Sequence, residues 1–395
     1  MSPLVPASRS VAMLRALPLA VFAQLIAAAT GCAAPPDAAA SRPLERIIVS
    51  PDRRGFVLEE SGEPFIPWGF NYDHDDEGER LIEEYWEAEW EKVVEDFREM
   101  KALGASVVRI HLQFGKLMTS PAEAEPAALA RLGKLLDLCE ELGVYLDITG
   151  LGCYLKPDVP AWYDALDEEG RWKAQAAFWS AVAERCAPSP AVFCYDLMNE
   201  PVVPGGGKPR DDWLGPPFAG RFHFVQFITR DLAGRERPDV ARAWIRRLSR
   251  AIREHDPRTP ITVGLVPWSL DRPGLTSGFV PEVIAPELDF VSAHIYPERD
   301  KLDEALETLA GFQVGKPVVI EETFPLRCSA AELRRFFRDS RAHAAGWIGF
   351  YWGTTIEECR SSPDLRHKLM LAWLELFVEE GKAMREAREE GAKER

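Results

Sequence analysis

Residues 192–201 read VFCYDLMNEP, an almost continuous apolar run that ends in the polar sequence Asn199-Glu200-Pro201. An apolar run of this length predicts a strand that is buried on both faces, as the strands of a parallel sheet are. A buried strand has no general reason to end in a charged residue. Glu200 is therefore a candidate functional residue at the carboxyl end of its strand.

The rest of the chain repeats this pattern of short apolar runs. Seven further strand candidates occupy residues 65–71, 106–112, 144–149, 261–266, 290–295, 317–322 and 347–352. Helical periodicity lies between most of them, and it is weakest in the proline-rich stretch 267–289. The alternation predicts an α/β protein, a (β/α)8 TIM barrel, with a short N-terminal β-hairpin over 46–50 and 55–58. An open doubly wound sheet is the structural alternative, but no GxGxxG sequence follows the first strand.

Polar residues gather at the carboxyl ends of these predicted strands, and in a barrel those ends meet at one mouth. The residues are Asn71, Arg109, His111, Asp147, Asn199, Glu200, His294, Tyr296, Glu321, Glu322 and Trp352. One charged residue at one strand end would mean little. Polar groups on most of the strands predict a functional site at the barrel mouth.

Two carboxylates on opposed strands are suited to the cleavage of a glycosidic bond. One acid must protonate the leaving oxygen. In retaining enzymes a second carboxylate, about 5–5.5 Å away, must stay ionised and attack the sugar. Glu200 and Glu322 can meet this requirement across a barrel mouth. Arg109 can keep the attacking carboxylate ionised, because a nearby cation favours the charged form.

Other strand-end residues can support this chemistry. Tyr296 can donate a hydrogen bond to the attacking carboxylate, and Asn199 can bind the sugar 2-hydroxyl. Trp352 can form an apolar floor under the sugar ring. Further candidates for substrate binding or support are His294, His111 and Asn71.

The sequence resembles the clan A glycoside hydrolases, most closely glycoside hydrolase family 5, the cellulase-like family. The resemblance rests on Asn199-Glu200-Pro201, on the seventh-strand sequence 316–322 (KPVVIEE), and on matches in barrel order at Arg109, His294-Ile295-Tyr296 and Trp352. It covers about residues 46–380. The resemblance implies that Glu200 is the acid/base and that Glu322, rather than Glu321, is the nucleophile.

The resemblance also implies an O-glycosyl hydrolase (EC 3.2.1.-), a retaining β-glycosidase similar to endoglucanases and mannanases. Its substrate would be a β-linked polysaccharide or oligosaccharide of the mannan or glucan type, and no cofactor is needed. One feature departs from the family pattern. Many cellulase-like members carry a His at the end of the third strand, whereas residues 147–152 read DITGLG. This departure favours β-mannan slightly over cellulose.

The composition indicates a globular protein and argues against nucleic-acid binding. The chain has 395 residues, is 46% hydrophobic and carries a formal net charge of −16, whereas a nucleic-acid binder needs a basic surface. No metal site is predicted. The acidic run 73–79 lacks the ligand spacing of an EF-hand, and no HExxH sequence is present. We expect a monomer.

The N-terminus has the features of a targeting segment. Residues 1–31 contain arginines, no acidic residue and a short apolar run, which is typical of a signal peptide. The segment ends in Ala29-Thr30-Gly31-Cys32, which resembles a lipobox and predicts lipidation of Cys32. The alternative is an ordinary signal peptide cleaved near Ala34. We expect export as a membrane-anchored lipoprotein in the periplasm or at the cell surface, or otherwise secretion.

This assignment divides the chain into four parts: a signal peptide (1–31), a flexible tether (32–44), a catalytic domain (45–380) and a charged C-terminal tail (381–395). The six cysteines after Cys32 form no CxxC sequence, and no disulfide pairing is predicted. The long connection 201–238 is interpreted as a wall over the substrate cleft. A plain surface excursion is the alternative.

Three other functions remain open from the sequence. One is a non-catalytic carbohydrate-binding barrel. Another is a metal-dependent barrel hydrolase that uses His111, Asp147, His294 and Glu322. The third is a transglycosylase that uses the same two glutamates as the hydrolase.

Overall fold

The structure is a computed structural model that describes residues 43–72, 75, 80–206, 209–218, 220–270, 276–350 and 353–393. Its strands are β1 (Ile47–Val49), β2 (Phe56–Leu58), β3 (Pro64–Phe65), β4 (Trp68–Tyr72), β5 (Val107–Gln113), β6 (Tyr145–Gly152), β7 (Val192–Asn199), β8 (Pro201–Val202), β9 (Gln226–Phe227), β10 (Ile261–Leu265), β11 (Val291–His294), β12 (Val318–Thr323) and β13 (Gly346–Gly349).

The helices lie mainly between the barrel strands. They are α1 (Ile82–Tyr85), α2 (Trp90–Ala102), α3 (Phe114–Leu117), α4 (Pro126–Leu142), α5 (Ala161–Asp164), α6 (Glu168–Cys186), α7 (Arg237–Arg253), α8 (Pro281–Ile284), α9 (Leu302–Gly311), α10 (Ala330–Ser340), α11 (Ile356–Ser361) and α12 (Leu365–Lys393). Short 3₁₀ turns cover Lys156–Asp158, Pro267–Ser269 and Ala285–Glu287.

Eight parallel strands close into a barrel in the order β4, β5, β6, β7, β10, β11, β12 and β13, with β13 pairing back to β4. Every residue of these strands is buried, which explains why they appear in the sequence as continuous apolar runs. The predicted (β/α)8 barrel is confirmed, and the open-sheet alternative is wrong because the ring closes.

The predicted hairpin forms and gains a third strand. β1 and β2 pair antiparallel from Ile47 opposite Leu58 to Val49 opposite Phe56, and β3 adds to β2. Phe56 is buried against Phe193 and Phe290, with ring centroids 5.1 and 5.2 Å away. The hairpin therefore contributes apolar side chains to a core cluster with barrel-strand residues.

Local sequence signals set the helix ends. In α4, Glu125 caps the first turn by accepting from the Ala127 N–H, Pro126 occupies the first position, and Gly143 ends the helix with a left-handed φ of 65°. Ser329 and Glu332 form a capping box at the start of α10. The weakly periodic stretch 267–289 contains only short helical turns among its described residues.

The last helix, α12, runs from Leu365 to Lys393 and so continues through most of the segment assigned to a charged tail. Met384, within that segment, is buried.

In the described part of the chain the six cysteines are free thiols, so no disulfide pairs them. Among the helices of the described residues, none combines the length and apolar character needed to cross a bilayer.

Candidate active site

The registers of the barrel strands place the predicted polar residues in one layer. Asn71 of β4 lies opposite Arg109 of β5, and Arg109 lies opposite Asp147 of β6. Across the barrel, His294 of β11 lies opposite Glu322 of β12. Because parallel strands present their carboxyl ends at one mouth, these side chains share the same end of the barrel interior.

Arg109 is the centre of this layer. Its guanidinium is fully buried, and Nη1 donates to Glu322 Oε1 at 2.7 Å and to Asn71 Oδ1 at 2.9 Å. Nη2 donates to Asp196 Oδ2 at 2.7 Å and to Asn199 Oδ1 at 3.1 Å. Burial alone would lower the pKa of Arg109, but the surrounding carboxylates raise it well above its ordinary value. The guanidinium therefore stays charged and fixes four side chains at once.

Both carboxylate oxygens of Glu322 have fixed partners. Oε1 accepts from Arg109, and Oε2 accepts from the Tyr296 hydroxyl at 2.7 Å. Only 9% of the Glu322 side chain is exposed. A carboxylate held at both oxygens by a cation and a hydroxyl has a defined orientation toward the barrel mouth.

Glu200 approaches Glu322 from the opposite side of the mouth. One carboxylate oxygen of Glu200, one of Glu322 and a ring nitrogen of His294 all lie within 4.8 Å of one another. His294 Nδ1 is 3.0 Å from Glu200 Oε1 and 3.5 Å from Glu322 Oε2. Burial lowers the pKa of His294, but the carboxylates of Glu322, Glu200 and Glu321 raise it to about 10. His294 is thus an imidazolium at neutral pH and donates from Nδ1.

The backbone around Glu200 has an unusual geometry. Glu200 has a left-handed φ of 47°, and its N–H donates to the Gly264 carbonyl at 3.0 Å. A Cβ at position 264 would lie 2.9 Å from His294 Nε2 and 3.1 Å from Arg109 Nη2. Glycine is therefore needed at position 264, because only a bare backbone can come this close to both cations.

His111 and Asn71 form a supporting chain beside Arg109. The Asn71 amide donates from Nδ2 to the carbonyls of Glu321 and Gly349, so its Oδ1 is the acceptor. His111 Nε2, 3.0 Å from that oxygen, must then be the donor. His111 Nδ1 is 2.6 Å from the Tyr154 hydroxyl. These contacts fix the orientation of Asn71, which in turn accepts from Arg109.

A pocket of about 190 Å³ opens above the two glutamates. Its polar lining consists of His111, Asn199, Glu200, Tyr296 and Glu322, and its apolar lining consists of Phe218, Phe224, Leu326 and Phe350. Phe218 and Leu326 are 68% and 59% exposed, which is unusual for large apolar side chains. The arrangement is a polar floor beneath an apolar rim.

The structure brings together eight of the predicted site residues around this pocket: Asn71, Arg109, His111, Asn199, Glu200, His294, Tyr296 and Glu322. Asn199 is held on both sides of its amide, because Oδ1 accepts from Arg109 and Nδ2 donates to the Phe224 carbonyl at 3.2 Å. Trp352 and Cys32, also predicted, lie outside the described residues.

Sequence reasoning missed several residues of the site. Asp196 receives hydrogen bonds from Arg109, from Thr149 Oγ1 at 2.8 Å and from the Gly264 N–H at 2.7 Å. A carboxylate inside the apolar run 192–199 was the signal that could have identified it. Tyr154, Phe218 and Phe224 lie on connections without periodicity, so no comparable signal existed for them. The connection 201–238 does contribute Phe218 and Phe224 to the pocket wall, as its interpretation as a wall predicted.

Two groups of side chains in the described residues have metal-ligand spacing: Glu200, His294 and Glu322 at the pocket floor, and Asp147, Cys194 and Glu321 beneath it. The set proposed for a metal-dependent hydrolase divides between these groups, and His111 belongs to neither of them. In the described residues that set is therefore not a single cluster.

The family model described as Cellulase (glycosyl hydrolase family 5) matches residues 59–338. No curated protein matches the sequence. Among solved structures, an exo-β-1,4-mannosidase from Opitutaceae bacterium strain TAV5 aligns with a TM-score of 0.64 and 19% identity, over 85% of this chain and 62% of its own. The present chain thus spans less than two thirds of that enzyme.

Two further structures have the same fold at low identity. The endo-1,4-β-mannanase from Rhizomucor miehei aligns with a TM-score of 0.58 and 17% identity, over 85% of this chain and 100% of its own. A GH5_18 protein from Streptomyces cattleya in complex with Manβ1-4GlcNAc aligns with a TM-score of 0.55 and 16% identity, over 73% of this chain and 71% of its own. Likeness at this level of identity concerns the fold.

Proposed function

This chain belongs to glycosyl hydrolase family 5, and from that premise we propose that it is a retaining glycoside hydrolase acting on β-linked oligosaccharides or polysaccharides. The observation that carries the proposal is the close approach of Glu200 and Glu322, whose nearest carboxylate oxygens lie within 4.8 Å at the floor of an open pocket. Retaining enzymes need their two carboxyl groups about 5–5.5 Å apart, whereas inverting enzymes need about 6.5–9.5 Å to admit a water.

The first chemical step assigns one role to each glutamate. Glu322 attacks the anomeric carbon and forms a covalent glycosyl–enzyme bond, while Glu200 gives its proton to the departing oxygen. Arg109 and Tyr296 orient the attacking carboxylate through the hydrogen bonds described above. His294, bonded to Glu200 Oε1, positions the acid. In this role Glu200 carries a proton before bond cleavage and is ionised after it.

The second step reverses the roles. A water molecule enters on the side that the leaving group vacated, and the ionised Glu200 removes its proton as the water attacks the anomeric carbon. The bond to Glu322 breaks, Glu322 returns to the carboxylate form and Glu200 is protonated again. Two displacements at one carbon return the sugar with its original anomeric configuration.

We propose a mannan- or glucan-type sugar, with β-mannosides favoured. Two features support this preference: the absence of a His in the third-strand sequence 147–152, and the mannoside-cleaving activities named for the similar solved structures. A screen of mannan, glucan and xylan oligosaccharides tests it. Release of product from mannan-type substrates is expected, and turnover of xylan-type substrates alone would contradict the preference.

The mechanism itself is tested by measuring the rates at which wild type, Glu200→Gln and Glu322→Ala hydrolyse aryl β-mannosides and β-glucosides. Both variants should lose most activity, and the first-formed product should have the β configuration by NMR. Equal rates for all three proteins would instead favour a non-catalytic carbohydrate-binding barrel. An α product would exclude double displacement. Product analysis with an added acceptor sugar measures transglycosylation.

A metal-dependent hydrolase is the second candidate, since Glu200, His294 and Glu322 have metal-ligand spacing. A metal ion at this site would have to displace a proton from His294, because the facing carboxylates raise the pKa of that imidazole to about 10. EDTA treatment distinguishes the metal-dependent hydrolase from the metal-free glycosidase. Unchanged activity is expected for the glycosidase mechanism, whereas loss of activity that a divalent ion restores would favour the metal enzyme.

We also propose that the protein is exported and anchored by a lipid on Cys32, and that the catalytic unit acts as a monomer. The support for export and for the anchor is the sequence of residues 1–32. Fractionation of cells that express the full chain tests the anchor. Wild type should be found in the membrane fraction and Cys32→Ala in the soluble exported fraction. Identical distribution of both proteins would contradict lipidation at this residue.

A further inference from the structure

A second pair of carboxyl groups lies beneath the two glutamates of the site. Asp147 of β6 and Glu321 of β12 are both completely buried, and a carboxylate oxygen of each lies within 4.8 Å of the other and of Cys194 Sγ. Glu321 Oε1 accepts from Ser292 Oγ at 2.9 Å. Among the described residues, neither Asp147 oxygen nor Glu321 Oε2 has a conventional hydrogen-bond donor.

The charges around this pair do not balance if every group is ionised. Among the described residues, the layer around Arg109 contains four buried carboxyl groups, on Asp147, Asp196, Glu321 and Glu322, and the two cations Arg109 and His294, while Glu200 at the mouth is partly exposed. Glu321 Oε2 lies 3.7 Å from Arg109 Nη2 and 3.7 Å from His294 Nε2. Asp147 forms no such ion pair in the part of the chain that the structure describes, although the charge of Arg109 still acts to lower its pKa. An ionised Asp147 would therefore be a buried anion without a donor, which is strongly unfavourable.

We propose that Asp147 keeps its proton at neutral pH and donates it in a hydrogen bond to Glu321, so that the two residues form one acid–carboxylate pair. One shared proton gives Asp147 a partner and leaves Glu321 a single negative charge that faces both cations. Asp147 is a positioning residue. It orients the carboxylate of Glu321, and the charge of that carboxylate in turn stabilises Arg109 and His294 in their positions. Its effect on turnover rests on the proposed function, but its protonation does not.

The electrostatic environment supports this arrangement. Burial raises the pKa of Asp147 well above its ordinary value, and the charge of Glu321 adds to the shift. Burial also acts to raise the pKa of Glu321, but Arg109 and His294 outweigh it and lower that pKa. The remaining titratable neighbours, Cys194 and Asp196 on β7, add no cation.

A bound cation is the competing explanation for the group of Asp147, Cys194 and Glu321. The fixed positive charge of Arg109, 3.7 Å from Glu321 Oε2, disfavours a second cation at the same carboxylate. A proton needs no extra space and leaves Cys194 as a neutral thiol, consistent with the raised pKa of that thiol. The proton therefore fits the site better than a metal ion does.

The proton is detected directly by infrared spectroscopy, without any assay of activity. The difference spectrum of wild type minus Asp147→Asn should contain the C=O stretch of a protonated carboxylic acid, sensitive to exchange into D₂O, because the protonated Glu200 contributes to both proteins and cancels. Asp339→Asn, at a surface residue of α10, is the matched control and should keep the band. Absence of this band from the difference spectrum would overturn the proposal whether or not the protein hydrolyses sugars.

Kinetics then tests the positioning role. Asparagine replaces the O–H donor by an N–H donor, so kcat of Asp147→Asn should stay within about threefold of wild type. Asp147→Ala, which leaves Glu321 without a donor, should lower kcat by about 10-fold or more with little change in KM. Equal losses in both variants would mean that the ionised carboxylate is required. A divalent ion that raises Tm of wild type but not of Asp147→Asn would assign a metal site instead.

Discussion

Arg109 shows how one buried side chain can organise a site. Its planar guanidinium reaches Glu322 and Asp196 with separate nitrogens, and it also holds Asn71 and Asn199. A lysine has one compact ammonium group and cannot satisfy this forked geometry. Arg109→Lys therefore tests geometry at constant charge.

We expect Arg109→Lys to lower kcat/KM by about 100-fold or more, because a buried carboxylate loses a charge-assisted hydrogen bond. Steady-state kinetics on an aryl glycoside measures this. Tm should fall as well. The matched control is Arg54→Lys at an exposed position of the N-terminal hairpin, which should leave both values unchanged. Full activity of Arg109→Lys would show that charge alone suffices.

Tyr296 tests the contribution of a single hydroxyl. Its only described hydrogen bond is to Glu322 Oε2 at 2.7 Å. A hydrogen bond to a charged group contributes about 1.5–3 kcal/mol, so Tyr296→Phe should lower kcat/KM by about 10- to 100-fold. Tyr163→Phe, which removes a buried hydroxyl bonded to Gln175, is the control for general packing effects. A larger effect of Tyr163→Phe on activity would contradict the assignment.

The raised pKa of His294 should make the thermal stability of the protein depend on pH. Its pKa in the folded protein is raised from 6.5 to about 10, because the facing carboxylates outweigh the effect of burial. Its stabilising contribution is therefore complete below about pH 6.5 and is lost as the pH rises through about 10. Tm of wild type should fall over this interval more steeply than Tm of His294→Gln. His343→Gln, near the protein surface, should follow wild type, and parallel curves for all three proteins would refute this link.

At the scale of single elements, the barrel strands were predictable because burial on both faces leaves a clear apolar signature. β7 was predicted at its observed bounds, Val192–Asn199. The other strands differ from their predicted ranges by a few residues at their ends. Strand ends depend on where the ladder of backbone hydrogen bonds stops, which side-chain pattern does not specify. The left-handed backbone at Glu200 arises at such an end, where its N–H bonds to the neighbouring strand.

The long connection between β7 and α7 could not be predicted in detail, yet it shapes the pocket. Phe218, Phe222 and Phe224 form an aromatic group in which Phe224 lies 6.1 Å from Phe218 and 5.7 Å from Phe222. Phe218 also lines the pocket above Glu200. Its exposed ring offers an apolar face to a substrate rather than to the core.

Phe218→Ala should raise KM for oligosaccharides by about 3- to 10-fold and leave kcat nearly unchanged, because the contact is made equally in the ground and transition states. The comparison of a disaccharide with a small aryl glycoside measures it. Leu365→Ala, at an exposed position on α12, is the control and should have no effect. A fall in kcat with constant KM would instead assign Phe218 to the transition state.

For the whole molecule, the sequence predicted the closed barrel and the layer of polar residues because chain order and strand polarity determine which ends meet. It did not predict the balance of charge inside the barrel. That balance depends on which carboxylates face Arg109 across the ring, and such contacts join residues far apart in the chain, as with Arg109 and Glu321. The hydrogen bond that we propose between Asp147 and Glu321 also depends on a contact between residues far apart in the chain.

The last helix completes the outer layer of the barrel beside its first strand. Phe377 of α12 is buried, stacks on Trp68 at a centroid distance of 4.6 Å and lies 3.9 Å from Phe70. Both partners belong to β4, which pairs with β13 where the ring closes. Phe377 therefore joins the end of the described chain to the strand that completes the barrel.

Phe377→Ala should lower the free energy of unfolding by about 3–5 kcal/mol, the usual cost of removing a buried aromatic ring. Urea denaturation measures this loss. Because Phe377 packs on the outside of β4, kcat measured well below Tm should change little. Leu369→Ala, on the same helix but 40% exposed, should cost far less. A large loss of kcat in Phe377→Ala under these conditions would instead show that the geometry of Arg109 and Glu322 depends on the outer layer of helices. The barrel strands alone would then not be sufficient to hold the site in place.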